Sequence, residues 1–235
     1  MRRPLLIACL ALTACAGTGD SPDAQLVERS VARDWRRVDP ETFAARLDAE
    51  LPSQPAFRFA ADAREELAAA LDEQSADSVR AAVQLSRSSA RADFDALLAR
   101  LERRVPAPTR ARDAGDVVAA AALHGHGYER RLERLAIGSR AHPDLEVRVE
   151  CAVVALDAGR TSVIPFLLRV MRAGTPMEPS DPPDWERKPH MTWSKTRAAT
   201  ALSARAGIAV QFRADGSYAH QEREVNRLEE LLSGQ

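Results

Sequence analysis

Asp144-Leu145-Glu146-Val147-Arg148-Val149-Glu150-Cys151-Ala152-Val153-Val154-Ala155-Leu156-Asp157-Ala158-Gly159, continued by Arg160-Thr161-Ser162-Val163-Ile164-Pro165-Phe166-Leu167-Leu168-Arg169-Val170-Met171, is the stretch on which the reading of the fold turns. Asp144 stands where an N-cap belongs, one residue ahead of an apolar helical pattern. Leu145, Val149, Ala152, Val153 and Leu156 share one helix face, and Val147, Cys151 and Val154 share another. Gly159 ends that helix. Thr161 opens a second one, with Pro165 in its first turn, and Val163, Phe166, Leu167, Val170 and Met171 lie along it before Gly174. A helix apolar on two faces needs neighbours on both sides. It belongs inside a stack of helices.

The same pairing of short helices extends N-terminally. Residues 77–88 form one helix, with Val79, Ala82 and Val83 on one side. Residues 91–104 follow, with Phe94, Leu97, Leu98, Leu101 and Val105 at i, i+3, i+4, i+7 and i+11. An alanine-rich helix over 116–124 and a partner beginning near Tyr128, with Leu132, Leu135 and Ala136 on one face, make another pair. Asp144-Leu-Glu-Val147-Arg148, the Ala/Val core, Gly159 and Val163-Ile164-Pro165-Phe166-Leu167-Leu168 resemble one HEAT repeat. Weaker echoes are Asp77-Ser-Val79-Arg80 with Leu97-Leu98, and Thr196-Arg197-Ala-Ala199 with Gly207. The unit at Asp116 departs from the pattern, with Val118 in place of the Arg and no Pro in its second helix. The resemblance spans about 62–207. It implies an all-α fold, an α-solenoid of about three to four helical hairpins over 75–207, in which each hairpin buries too little alone and stacking makes the core continuous; the alternative is an irregular helical bundle.

Outside the repeats, Asp39-Pro40-Glu41 sets an N-cap, a first-turn proline and an acid for a helix running to Leu51, where Pro52 and Pro55 stop it. Asp62 caps a further helix through Leu71. Together these make an N-terminal helical region over 24–74. The stretch 174–193, with Pro176, Pro179, Pro182, Pro183 and Pro189, predicts a long loop. Its Trp185 and Trp193 either fold back over the open end of the core or anchor a protein partner. Beyond it come a helix over 194–206 with Gly207 as C-cap, an extended stretch 208–212 and a turn at Asp215-Gly216. A capping helix over 218–232 carries Val225, Leu228 and Leu232, so 208–235 closes the array.

The 235 residues include 44 alanines, and 31 arginines against the two lysines Lys188 and Lys195. Lys+Arg number 33 and Asp+Glu 34, a net charge of -1, and aromatics are 5%. The charge balance argues against nucleic acid as a partner. The scarcity of aromatic and β-branched residues argues against a sandwich or barrel. Met1-Arg2-Arg3, the apolar run Leu5–Leu12 and Leu12-Thr13-Ala14-Cys15 resemble the signal peptide and lipobox of bacterial lipoproteins. The apolar core is too short to span a bilayer. The resemblance implies a signal peptide over 1–14, lipidation of Cys15, a tether over 15–23 and attachment to the bacterial cell envelope. Ala16 after the Cys favours the periplasmic side of the outer membrane where a cell has two membranes. Loss of Arg2 and Arg3 leaves 31 basic against 34 acidic side chains, so attachment would rest on the acyl chains. The bland alternative is an ordinary secretory signal cleaved after Ala14 or Ala16.

The candidates for chemistry are few. His124-Gly-His126-Gly places two imidazoles in a glycine-rich turn, weak metal candidates that need ligands from elsewhere. His142, His190 and His220 read as surface or loop residues. Cys151, on an apolar face, reads as an inert core thiol. No nucleophile elbow, zinc-protease motif or phosphate-binding glycine loop is present, so no catalytic residue and no cofactor is expected. The expectation is an interaction scaffold for a protein partner. The alternatives are a metal-binding protein or enzyme using His124 and His126, and a purely structural envelope component.

Overall fold

The computed structural model describes residues 22–50, 55–73, 75–103, 110–174 and 182–233. The fold is all-α. In chain order the elements are β1 (Val27–Arg29), α1 (Pro40–Glu50), β2 (Phe57–Phe59), α2 (Ala61–Leu71), α3 (Ala76–Leu85), α4 (Arg91–Glu102), α5 (Arg110–Ala122) and α6 (Glu129–Ile137). They continue with α7 (Leu145–Asp157), α8 (Ile164–Arg172), α9 (Pro182–Ala206) and α10 (Tyr218–Ser233). Helix limits follow local chemistry. Asp39 accepts from the Glu41 and Thr42 N–H groups, which holds its carboxyl below the usual range, and Asp144 accepts from Val147 N at 2.9 Å. Gly159 and Gly207 take φ of 84° and 70°, the left-handed conformation that turns the chain out of α7 and α9.

Alternate helices pack on one another: α1 on α3, α3 on α5, α5 on α7 and α7 on α9. Beside these contacts, α6 packs on α7 and α8 on α9, with α10 against both α8 and α9. The pairing frame differs from the one the sequence suggests. Helices α7 and α8, on either side of the Gly159 turn, touch less than α6 and α7 or α8 and α9. The short segment Thr161–Val163 is a 3₁₀ turn that carries the chain away from α7 before α8 begins.

Helix α7 is enclosed as its two apolar faces predict, with every residue from Val149 to Leu156 buried. Alanine makes the close approach between helices possible. Ala81 and Ala82 of α3, Ala119 and Ala120 of α5, Ala152 and Ala155 of α7, and Ala198 and Ala199 of α9 are all fully buried. Helix α5 passes close to α3 at Gly115, where a Cβ would stand 3.2 Å from the Ser78 carbonyl oxygen. Gly115→Val is therefore expected to force α3 and α5 apart and to destabilise by about 1–3 kcal/mol. Urea denaturation checks this, and an unchanged midpoint would refute the close crossing.

Four expectations are corrected. Residues 174–193 are not one loop, because α9 starts at Pro182 and carries Trp185, Pro189, His190 and Trp193. Prolines 182 and 183 occupy the first turn, where no backbone donor is lost. Pro189 removes one bond from a 25-residue helix packed on α7, α8 and α10. Asp62 lies in the first turn of α2, with Ala60 at the N-cap. Helix α5 begins at Arg110, ahead of the expected Asp116. The N-terminal region also contains strands: β1 and β2 pair in parallel, Val27 with Phe57 and Arg29 with Phe59. Buried Phe57 and Phe59 meet edge to face at 5.4 Å, and the Phe57 carbonyl accepts from Ser89 N at 2.9 Å.

Candidate functional site

The side chains with chemistry gather along one seam of α7. Glu146, Glu150 and Asp157 recur at i, i+4 and i+11, which puts them on one side of an otherwise apolar helix. Glu150 is 2% exposed, and a carboxylate so placed must be paired. Arg197 of α9 supplies the pair, its Nε and Nη2 each 2.7 Å from a Glu150 oxygen. About two turns before Arg197 on α9, His190 Nδ1 stands 2.8 Å from Glu146 Oε1. At the other end, His124 Nε2 is 3.7 Å from Asp157 Oδ2. Burial pushes the Asp157 carboxyl up, against the pull of His124 and Arg197.

The turn after α5 continues the seam. Gly125 and Gly127 take φ of 74° and 83°, so the chain reverses at both. This separates the two imidazoles. His124 turns to Asp157, whereas the His126 ring stacks on Phe94 of α4 at 3.8 Å between centroids, and desolvation lowers its affinity for a proton. Tyr128 closes the turn. Its hydroxyl donates to Asp95 Oδ1 at 2.7 Å, and burial with that acid pushes its pKa up to about 12. Among the described residues no group of three His, Cys, Asp or Glu side chains could hold a metal ion. His124 and His126 are thus not brought onto a shared third ligand.

A second buried network lies between α4, α5 and the start of α7. Arg100 bonds to Asp116, and His142 Nε2 faces the other Asp116 oxygen at 3.8 Å. His142 Nδ1 accepts from Asp144 N at 3.1 Å, so Nε2 carries the proton. His142 is 4% exposed, which corrects its reading as a surface residue. Its pKa is lowered by burial, with Asp116 and Asp144 opposing. His190 is likewise no loop residue but a member of α9. His220 stays at the surface, its Nε2 3.2 Å from the Gln211 carbonyl.

The arginines one turn into the repeats are not free surface charges. Arg80 bonds to Asp77 and to the Val38 carbonyl. Arg148 donates to the Ala136 carbonyl at 2.9 Å and lies 4.7 Å over the Phe166 ring, and burial lowers its pKa. Arg197 alone bridges to an acid of the preceding inner helix. Lys195, 2% exposed, donates from Nζ to Gln221 Oε1 at 2.8 Å, tying α9 to α10, and burial lowers its pKa. Cys151 is fully buried, and burial raises its thiol far out of the reactive range.

Trp193 is half-buried against the core. Trp185 lies in α9, and its side chain is outside the described residues, as are Cys15 and the rest of residues 1–21, on which the expected signal peptide and most of the expected tether fall. The seam missed by sequence reasoning had one usable signal: Glu150 stands inside an apolar run. Arg197 lies 47 residues from Glu150, and His190 lies 44 from Glu146, so neither leaves a local trace.

No family model, no curated protein and no solved structure matches this chain. Fold and site together define an all-α protein in which Glu150–Arg197 and Asp116–Arg100 are ion pairs buried between helices. Among the described residues no helix is long and apolar enough to cross a membrane.

Proposed function

We propose that the chain is a lipid-anchored bacterial envelope protein, held to the membrane through Cys15, whose HEAT-like helical array serves as a scaffold for a protein partner. The observation that carries the scaffold reading is the row in which α3 packs on α5, α5 on α7 and α7 on α9, the arrangement expected of stacked repeats. The seam on α7 supports it further. Glu150 is paired with Arg197 inside the row, and His190 and His124 stand beside Glu146 and Asp157, so the seam ties α9 and the turn after α5 to α7 and supports a rigid framework suited to recognition. The half-buried Trp193 is the nearest aromatic anchor for a partner, with Trp185 a little over two turns before it on the same helix. Confinement to a membrane raises the local concentration of scaffold and partner alike.

Cys15 is the test of the anchor. Cys15→Ala is expected to leave an unprocessed precursor or to move the protein from the membrane to the soluble fraction. Normal maturation with unchanged fractionation would sink the anchoring claim. For the scaffold, photo-crosslinking from the exposed position 196, one turn from Trp193 on α9, is expected to trap one defined partner in cells, lost when Trp193 is replaced by a charged residue. Absence of any adduct from positions across α9 would refute it.

A further inference from the structure

A cavity lined by three arginines lies away from the α7 seam, at the C-terminal end of α6. It measures about 450 Å³ and is bounded by Arg131, Arg134, Leu135, Ser139, Arg140 and Glu102, with Gly138 at its back. Three guanidinium groups therefore face one carboxylate. Arg131 is engaged with Glu102, its Nε 2.8 Å from Oε1 and its Nη2 on the second oxygen, so that pair is neutral and fixed. Arg134 and Arg140 have no carboxylate partner among the described residues, unlike Arg100, Arg160 and Arg197.

Arg131, Arg134, Ser139 and Arg140 are exposed, so the cavity opens to solvent. Arg131 and Arg134 are three apart on α6, where like charges repel. The turn then brings Arg140 to the same place. It hugs the helix so closely that a Cβ on Gly138 would stand 2.5 Å from the Arg134 carbonyl oxygen. The negative end of the α6 dipole favours one nearby cation, and three exceed that need. Buried Leu135 gives the cavity an apolar floor, and Ser139 adds a hydroxyl donor at the rim. Two unpaired guanidinium forks and a hydroxyl offer more donors than a single carboxylate can accept, and they match the three oxygens of a phosphate. The volume exceeds that of a bare phosphate and falls in the range of small-molecule sites.

We infer that the cavity between α6 and the 138–140 turn binds a phosphate group carried on a small anionic molecule, with Arg134 and Arg140 as the principal ligands. This stands independently of the scaffold reading. Calorimetric titration of the full chain with sodium pyrophosphate, at fixed ionic strength, tests it. Saturable binding is expected, weakened about tenfold or more in Arg134→Gln/Arg140→Gln, because each lost charge-assisted bond matters on that scale. The exposed control Arg205→Gln should bind as the unaltered protein does. Phosphatidylglycerol vesicles form a second arm, read as the difference between the unaltered chain and the double variant so that any acyl anchor cancels. A difference there, without pyrophosphate binding, assigns the phosphate to a lipid headgroup. Absence of saturable binding in both arms, or an equal loss in Arg205→Gln, overturns the inference. Thermal midpoints of the variants exclude misfolding as the cause of any loss.

Discussion

Asp116→Ala is expected to destabilise the protein by about 3–5 kcal/mol, because it strands the Arg100 guanidinium, whose side chain is 1% exposed, without its carboxylate. Arg100 cannot shed its proton, so the penalty persists at every accessible pH. For a chain of this size that corresponds to a fall in Tm of about 10 °C or more. Asp116→Asn keeps an acceptor and should cost less. His142 adds a pH signature. Burial lowers its folded pKa below the ordinary 6.5, so the unfolded chain binds the proton more readily. Stability is then full above about 6.5 and falls as the pH drops toward the lowered value. Protonation would set Arg100 and a second cation against the single Asp116 carboxylate. His142→Gln should remove this acid sensitivity while leaving the neutral-pH midpoint nearly unchanged. Denaturation midpoints at pH 5 and pH 8 check both statements, and an equal acid loss in His142→Gln would refute the assignment.

What the sequence made legible was local. Asp39 and Asp144 as caps, Gly159 and Gly207 as exits, and the two apolar faces of α7 are settled by residues within a few positions of one another. The errors arose where a distant neighbour decides. Five prolines over 176–189 read as a loop, yet Pro182 and Pro183 sit in a first turn that tolerates them. The interior Pro189 costs about 3 kcal/mol in isolation, which the packing of α9 on α7, α8 and α10 offsets. His142 precedes Pro143 and looked exposed, but α4 and α5 close over it. The two-stranded sheet joins segments 30 residues apart, each of three residues, below the length at which alternation can be read. The arginine cavity is of the same kind. Arg131 and Arg134 share a helix face in the sequence, but only the turn at Gly138 shows that Arg140 joins them.

Arg197→Ala removes the partner of Glu150, a carboxylate 2% exposed in the centre of the helical row, and is expected to cost about 3 kcal/mol or more. The deficit should shrink as the pH is lowered, since protonation neutralises the stranded acid, and grow again above neutrality. The pair need not itself be stabilising. Desolvating two charges offsets most of their attraction, so the double replacement Glu150→Met/Arg197→Met, which fills the same space with apolar atoms, is expected to return to within about 1–2 kcal/mol of the unaltered protein. Recovery in the double variant would show that the pair fixes the register of α9 against α7 rather than holding the two together. Apolar packing by Ala152, Ala155, Ala198 and Ala199 already supplies the adhesion. The role in register has its own readout. With Glu150 and Arg197 gone, α9 is free to slide on α7, so the contact between His190 Nδ1 and Glu146 should loosen. Hydrogen exchange at the N-terminal half of α9 would then rise although global stability is nearly restored. If the double variant is as unstable as Arg197→Ala, and exchange along α9 is unchanged, the pair is holding the helices together and the register account is wrong.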